Sequence, residues 1–134
     1  MSEVHKYLLV IREFHLDTFG HMNNAAYLQV LEEARWELIT SRGFGMDYIK
    51  KIGQGPVILE VNLKFLRELK LREHVTITTE LIDYETKIGH LKQTIVKENG
   101  EIAAEAVFTI SLFDTINRKI IPPTPEWARA VGKS

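Results

Sequence analysis

Between positions 15 and 27 the chain gathers His15, Asp17, His21, Asn23, Asn24 and Tyr27. Two features of this stretch bear on chemistry. Asp17 is a carboxylate a few residues ahead of a helix expected to begin near Asn24 and Ala25. The first N–H groups of a helix lack intrahelical partners, and the helix dipole favours negative charge beside them. A carbonyl oxygen turning into an oxyanion is stabilised by such donors, each typically contributing ~3–4 kcal/mol. A nearby carboxylate can attack that carbonyl or activate water, so the pairing suits acyl transfer. Asp and Asn near a helix start are also ordinary caps, and spacing alone leaves both readings open. His15, Asp17 and His21 supply three potential metal ligands as well.

These residues must be held by flanking elements. Val4 to Phe14 is rich in Tyr, Leu, Val and Ile and reads as a strand. Residues 15 to 24 are polar, with a Gly and two Asn, and read as a loop ending at a helix cap, for which Asn24 is the candidate. Residues 25 to 41 form the clearest helix. Tyr27, Leu31, Ala34 and Leu38 fall on one face, Gln29, Glu32, Glu33 and Glu37 supply polar positions, and Gly43 follows the end. Its length is roughly 25 Å. Residues 46 to 51 add a short turn between Gly45 and Gly53.

After Gly55-Pro56 the period changes to two. Val57, Leu59, Val61, Leu63 and Phe65 alternate with their neighbours, as do Val75, Ile77, Thr79 and Leu81. Ile88 to Val96 is a weaker run. Asn99-Gly100 is a hairpin signal, and Ile102 to Leu112 is apolar at every second position. The order is strand, long helix, then four strands joined by hairpins, followed by a tail with Pro122, Pro123 and Pro125. The expected fold class is α+β, with one long helix on an antiparallel sheet, in a single domain over residues 1–134. One helix cannot cover such a sheet, so self-association is expected.

Composition excludes several classes. The chain has 134 residues, no cysteine, 17 Lys plus Arg against 18 Asp plus Glu, and a net charge of −1. Thiolate chemistry and disulfides are therefore absent, and a reducing compartment fits. A near-neutral chain is poorly suited to neutralising phosphates, so nucleic-acid binding is not expected. No apolar run reaches the ~20 residues of a membrane span. The N-terminus lacks a signal-peptide pattern, and a cytoplasmic protein is expected. Ser2, Ser41, Ser111 and Ser134 lie outside any Gly-x-Ser-x-Gly elbow. No glycine-rich phosphate loop and no His-Glu-x-x-His zinc helix occurs.

The segment His15-Leu-Asp17-Thr-Phe-Gly20-His21-Met-Asn23-Asn24-Ala-Ala-Tyr27, with Glu33-Ala34-Arg35 after it, closely resembles the signature of hotdog-fold acyl-CoA thioesterases. The nearest group is the 4-hydroxybenzoyl-CoA thioesterase-like branch, whose element order also matches over nearly the whole chain. The resemblance implies that Asp17 is the catalytic carboxylate, as nucleophile or general base. It implies that the Asn24 backbone N–H polarises the thioester carbonyl, that Gly20 lets the loop turn close to substrate, and that Tyr27 lies on the inward helix face, where a plain core role is the alternative. Glu33 and Arg35 match the family helix, with a structural ion pair as their expected role. His21 and Asn23-Asn24 also resemble a motif of plant acyl-carrier-protein thioesterases, in which Asp, Asn and His alternate. Phe19 stands at the Asn position here, so His21 is expected to contact substrate rather than catalyse, and Asn23 is grouped with it.

The implied activity is hydrolysis of an acyl-CoA or acyl-carrier-protein thioester, with no metal and no organic cofactor, in a homodimer or homotetramer whose sites lie between subunits. The basic residues Lys64, Arg67, Lys70 and Arg72 surround a loop. They are either a solvated turn or contacts for coenzyme A phosphates, and Lys64 and Arg67 are the candidates. His90, mid-strand after Gly89, faces either a site or solvent. Two rival functions remain: a non-catalytic acyl-thioester binding module, and a hotdog dehydratase, whose His-based pattern this motif lacks.

Overall fold

The polar stretch before the long helix is held in place by residues 68–70, which come from far away in sequence. The computed structural model describes residues 3–133. Strand β1 spans Val4–Val10, helix α1 Asn24–Ser41, helix α2 Met46–Ile52 and strand β2 Gln54–Phe65. Strands β3 (His74–Glu85), β4 (Ile88–Lys97), β5 (Ile102–Asp114) and β6 (Lys119–Ile121) follow, and helix α3 spans Pro125–Val131. The sheet order is β1-β3-β4-β5-β2, with β6 beside β5, and every pairing is antiparallel.

Helix α1 forms where expected because its apolar residues share one face. Ala26, Tyr27, Val30, Leu31, Ala34, Leu38 and Ile39 are all buried. They meet the inward residues of the central strands, among them Ile77, Leu91, Ile95, Phe108 and Ile110. Burying each of the larger aliphatic side chains contributes about 1.5–3 kcal/mol. Among the described residues no helix is long and apolar enough to cross a membrane.

Four expectations need correction. The first strand stops at Val10, and residues Glu13–His15 form a tight 3-10 turn. The turn wins because the His15 Nδ1 accepts from the Arg12 backbone N–H at 2.9 Å. The helix cap is Asn23 rather than Asn24: the Asn23 side-chain oxygen accepts from the Ala25 N–H at 2.8 Å, and Asn24 is already helical. The alternating run from residue 57 does not pair with the next strand in sequence. It crosses to the far edge and pairs with β5. The tail also holds a strand and a helix beyond the four-strand expectation. Thr124 caps α3 by accepting from the Trp127 N–H at 3.2 Å, and Pro125 stands in the first turn, where its missing N–H costs nothing. Trp127 then inserts its ring, 1% exposed, beside Phe44, and its Nε1–H donates to the Tyr84 hydroxyl at 2.9 Å.

Candidate active site

The loop from His15 to Met22 is tied down at both ends. The Asn23 N–H donates to the His15 carbonyl at 2.8 Å, and the Met22 N–H donates to the Leu69 carbonyl at 2.9 Å. Within it, Asp17 Oδ1 accepts from the Phe19 N–H at 2.8 Å and from the His21 N–H at 3.2 Å. One carboxylate oxygen thus orders the turn and fixes the orientation of the group. Gly20 sits at φ +84°, in the left-handed region that favours glycine, and a Cβ there would meet nothing within 4 Å. The turn thus places a conformational requirement on Gly20.

Asp17, His21, Met22, Asn24, Tyr27, Phe65, Leu66, Arg67 and Glu68 line one open cleft of about 290 Å³. The helix start inside it has an economical arrangement of donors. Asn23 takes the Ala25 N–H on its side chain and the Ala26 N–H on its carbonyl. The Asn24 N–H, ahead of both, has no intrahelical acceptor available to it. It therefore remains the free donor at the positive end of the dipole, in the cleft that Asp17 lines.

Tyr27 is 4% exposed and stands edge-on to Phe65, ring centroids 4.9 Å apart. Its hydroxyl reaches the Arg67 carbonyl at 3.4 Å, and burial pushes its pKa up. The His21 Nε2 lies 2.9 Å from a Glu68 carboxylate oxygen, a half-exposed pair that bridges the two loops. Asn23 is exposed, with its side-chain oxygen committed to the cap. His15 is buried beneath the loop, its Nδ1 taken by Arg12. Among the described residues no group of three or more His, Asp and Glu is placed to hold a metal ion.

The basic residues divide. Arg67 lines the cleft, but its guanidinium bonds Glu101 at 3.1 Å and the Leu66 carbonyl at 2.9 Å. Lys70 pairs with Glu68 at 3.5 Å and Arg72 with Glu13 at 2.8 Å. Lys64 lies opposite Glu105 on β5, on the sheet face turned away from α1 and outside the cleft. His90 is paired with Asp83, its Nδ1 2.6 Å from the carboxylate, on the same outer face. The expected Glu33–Arg35 ion pair does not form. Glu33 receives the Tyr7 hydroxyl, which holds the Tyr7 pKa up at about 12, while Arg35 turns inward to Gln93 at 2.9 Å. Residues two apart on a helix point in different directions, so the two side chains diverge.

Sequence reasoning missed Phe65, Leu66 and Glu68. Phe65 carried a signal as the last member of the alternating run; Glu68, in a charged turn, carried none.

The model of the thioesterase-like superfamily matches residues 12–131. The chain belongs to the thioesterase-like superfamily. It is a hotdog-fold thioesterase, a thioester hydrolase. The long-chain acyl-CoA thioesterase FadM of Escherichia coli is 35% identical over 113 residues, covering 83% of this chain and 84% of that protein. Among solved structures, the probable thioesterase YbaW of Escherichia coli superposes with a TM-score of 0.82 at 30% identity, over 93% of this chain and 94% of the other. A hypothetical protein of Staphylococcus aureus, solved in complex with CoA, superposes with a TM-score of 0.90 at 20% identity, over 98% and 83% of the chains. That likeness concerns the fold.

Proposed function

We propose that this thioesterase hydrolyses acyl-CoA, with Asp17 as the carboxylate and the Asn24 N–H as the oxyanion donor. One observation carries the reading: capping by Asn23 satisfies the next donors of α1 and leaves the Asn24 N–H free in the cleft that Asp17 lines. The thioester carbonyl points at that N–H. Asp17, oriented through Oδ1 by two peptide N–H groups, presents its second oxygen to the carbonyl carbon or to a water. Charge building on the carbonyl oxygen meets a dipole already aimed at it, so little reorganisation is needed. When water attacks, the tetrahedral species collapses to acid and thiol; when Asp17 attacks, it expels the thiol and leaves a mixed anhydride, which water then cleaves to the acid and free Asp17. Gly20 sets the turn, Tyr27 and Phe65 wall the cleft, and His21, Arg67 and Glu68 stand at its rim, with Asn23 holding the helix start. FadM and the CoA-bound fold relative support coenzyme A as the carrier. No step needs a metal or an organic cofactor, and the cysteine-free chain suits a cytoplasmic setting.

The reading includes a homodimer. Helix α1 covers the sheet centre but not β2, an edge strand with Ile58 40%, Val61 39% and Phe65 50% exposed. Leu66 after β2, itself exposed, extends this apolar strip to the cleft. A second copy laid against β2 buries it and walls the acyl chain on its open side; two such dimers can stack as a tetramer.

Thiol release from a panel of acyl-CoAs tests the reading, with Asp17→Asn alongside. The expected loss of kcat is about 100-fold or more. Equal rates reduce Asp17 to a turn-former. Tight binding of acyl-CoA without thiol release makes the chain a non-catalytic binding module.

A further inference from the structure

At the far end of α1 from Asn24 lies a second cavity, about 100 Å³, between α1, the start of β2 and α3. Its walls are largely apolar, with Ile39, Pro56, Ile58, Ile110 and Trp127 among them. Two charged residues, Glu32 and Arg35, also line it. Arg35 lines the cavity with its guanidinium carbon 4.1 Å above the Phe108 ring and its Nη1 donating to Gln93 Oε1 at 2.9 Å. Gln93 is fully buried and locked, since its amide nitrogen donates to the Leu31 carbonyl at 3.1 Å and to the Thr79 hydroxyl at 2.9 Å.

The cation is poorly compensated. Among the described residues no carboxylate lies within 4 Å of it; Glu32 lines the same cavity but is exposed and makes no ion pair with it. A guanidinium has five N–H donors in a fork that fits a carboxylate. One is engaged by Gln93. Burial draws the Arg35 pKa down to about 10, and the Glu32 charge offsets only part of that shift. Keeping an unpaired cation in such a place is costly unless a partner arrives.

The cavity and the cleft are lined by different residues of the same two elements, α1 and β2. Helix α1 carries Asn24 and Tyr27 at its start and Arg35 about 16 Å further along its axis. Strand β2 carries Phe65 at the cleft and Ile58 at the cavity. Ile58, Val61, Leu63 and Phe65 pair with the buried Ile110, Phe108, Ala106 and Ala104 of β5. They therefore share the inward face, an apolar strip that runs along β2 from Phe65 at the cleft to Ile58 at the cavity.

We infer that the cavity receives the distal end of the acyl chain and that Arg35 selects a carboxylate there, so the substrate class is the CoA monothioester of a long α,ω-dicarboxylic acid. The inference rests on the proposed catalytic cleft. The apolar strip holds the methylenes, the thioester lies at Asn24, and the free carboxylate meets the guanidinium fork on Phe108. Glu32 at the cavity mouth opposes the incoming charge and keeps the preference below its limit.

The test compares CoA thioesters of equal chain length that end in a methyl group or in a carboxylate. The wild-type protein is expected to show a kcat/KM ratio of at least about tenfold in favour of the carboxylate, the scale of a charge-assisted hydrogen bond. Arg35→Met abolishes that preference, Arg35→Lys keeps part of it, and Glu32→Gln enlarges it. Each value is a ratio within one preparation, so partial loss of folded protein does not move it. Calorimetric titration of the Asp17→Asn protein with the same pairs reads the ratio as Kd without turnover. A methyl preference at every length, or a ratio that Arg35→Met leaves unchanged, overturns the inference. Turnover of methyl-ended substrates that depends on Asp17 but shows no carboxylate preference removes this inference alone. Turnover indifferent to Asp17 removes the proposed cleft instead.

Discussion

His15 shows how a residue beside the site is fixed by its surroundings. It is buried, and burial lowers its pKa from the ordinary 6.5. Its Nδ1 accepts from the Arg12 N–H, so the neutral ring is the form that fits. A base whose pKa is lower when folded contributes stability that is complete above 6.5 and is lost as pH falls through the folded value. His5 shifts in the same direction for the same reason, with the Arg42 charge adding to it. Glu13, Glu101 and Asp114 are lowered too, by hydrogen bonds, but from 4.5, 4.5 and 3.8, so their contribution fades only in stronger acid. Melting curves between about pH 8 and pH 5 are therefore expected to show Tm falling once pH drops below 6.5. In His15→Gln the fall is expected to be shallower, leaving the part due to His5. An unchanged slope would assign the acid sensitivity elsewhere. At this scale the sequence was most legible where the site is local. Asp17, Gly20, Asn24 and Tyr27 lie within eleven residues, so one motif holds them. Phe65, Leu66 and Glu68 reach the same cleft from about forty residues away, through strand pairing that no local pattern records.

At the scale of elements, the start of α1 does two jobs. Asn23 ends the loop and caps the helix, and so determines which N–H stays free. Asn23→Ala is expected to cost about 1 kcal/mol, a fall in Tm of about 3–5 °C for a domain of this size. It also releases the Ala25 N–H and loosens the site, so kcat should fall more than KM rises. A loss confined to Tm would mean that the cap serves stability alone. The long helix and the Asn99-Gly100 hairpin were readable because 3.6-residue periodicity and a left-handed glycine, φ +91° at Gly100, are local requirements. Helix α3 was hidden by its prolines. Its seven residues are stabilised mainly by Trp127 docking on Tyr84 and Phe44, contacts that exist only after the sheet has formed.

For the whole molecule the open question is what covers β2. A twelve-residue edge strand paired on one side only, with an apolar inner face, is a liability for an isolated domain. Sedimentation at micromolar concentration is expected to show a species of two chains or a multiple of two. Val61→Glu, which puts a charge in the middle of that strip, is expected to give monomers and to lower kcat/KM together with association. A wild-type monomer with full activity would remove the dimer from the reading.

The sequence by itself determined the fold class, the long helix, the alternating strands and the Asp17-to-Tyr27 motif. Those depend on side-chain period, glycine conformation and neighbouring positions, all written in consecutive residues. Only the tertiary structure decided that residues 57–65 pair with β5 at the sheet edge, that Asn23 and not Asn24 caps the helix, and that Arg35 turns away from Glu33 onto Phe108. Each of those outcomes compares burial and hydrogen bonding among residues distant in the chain, and such a competition is settled only when the elements are packed together.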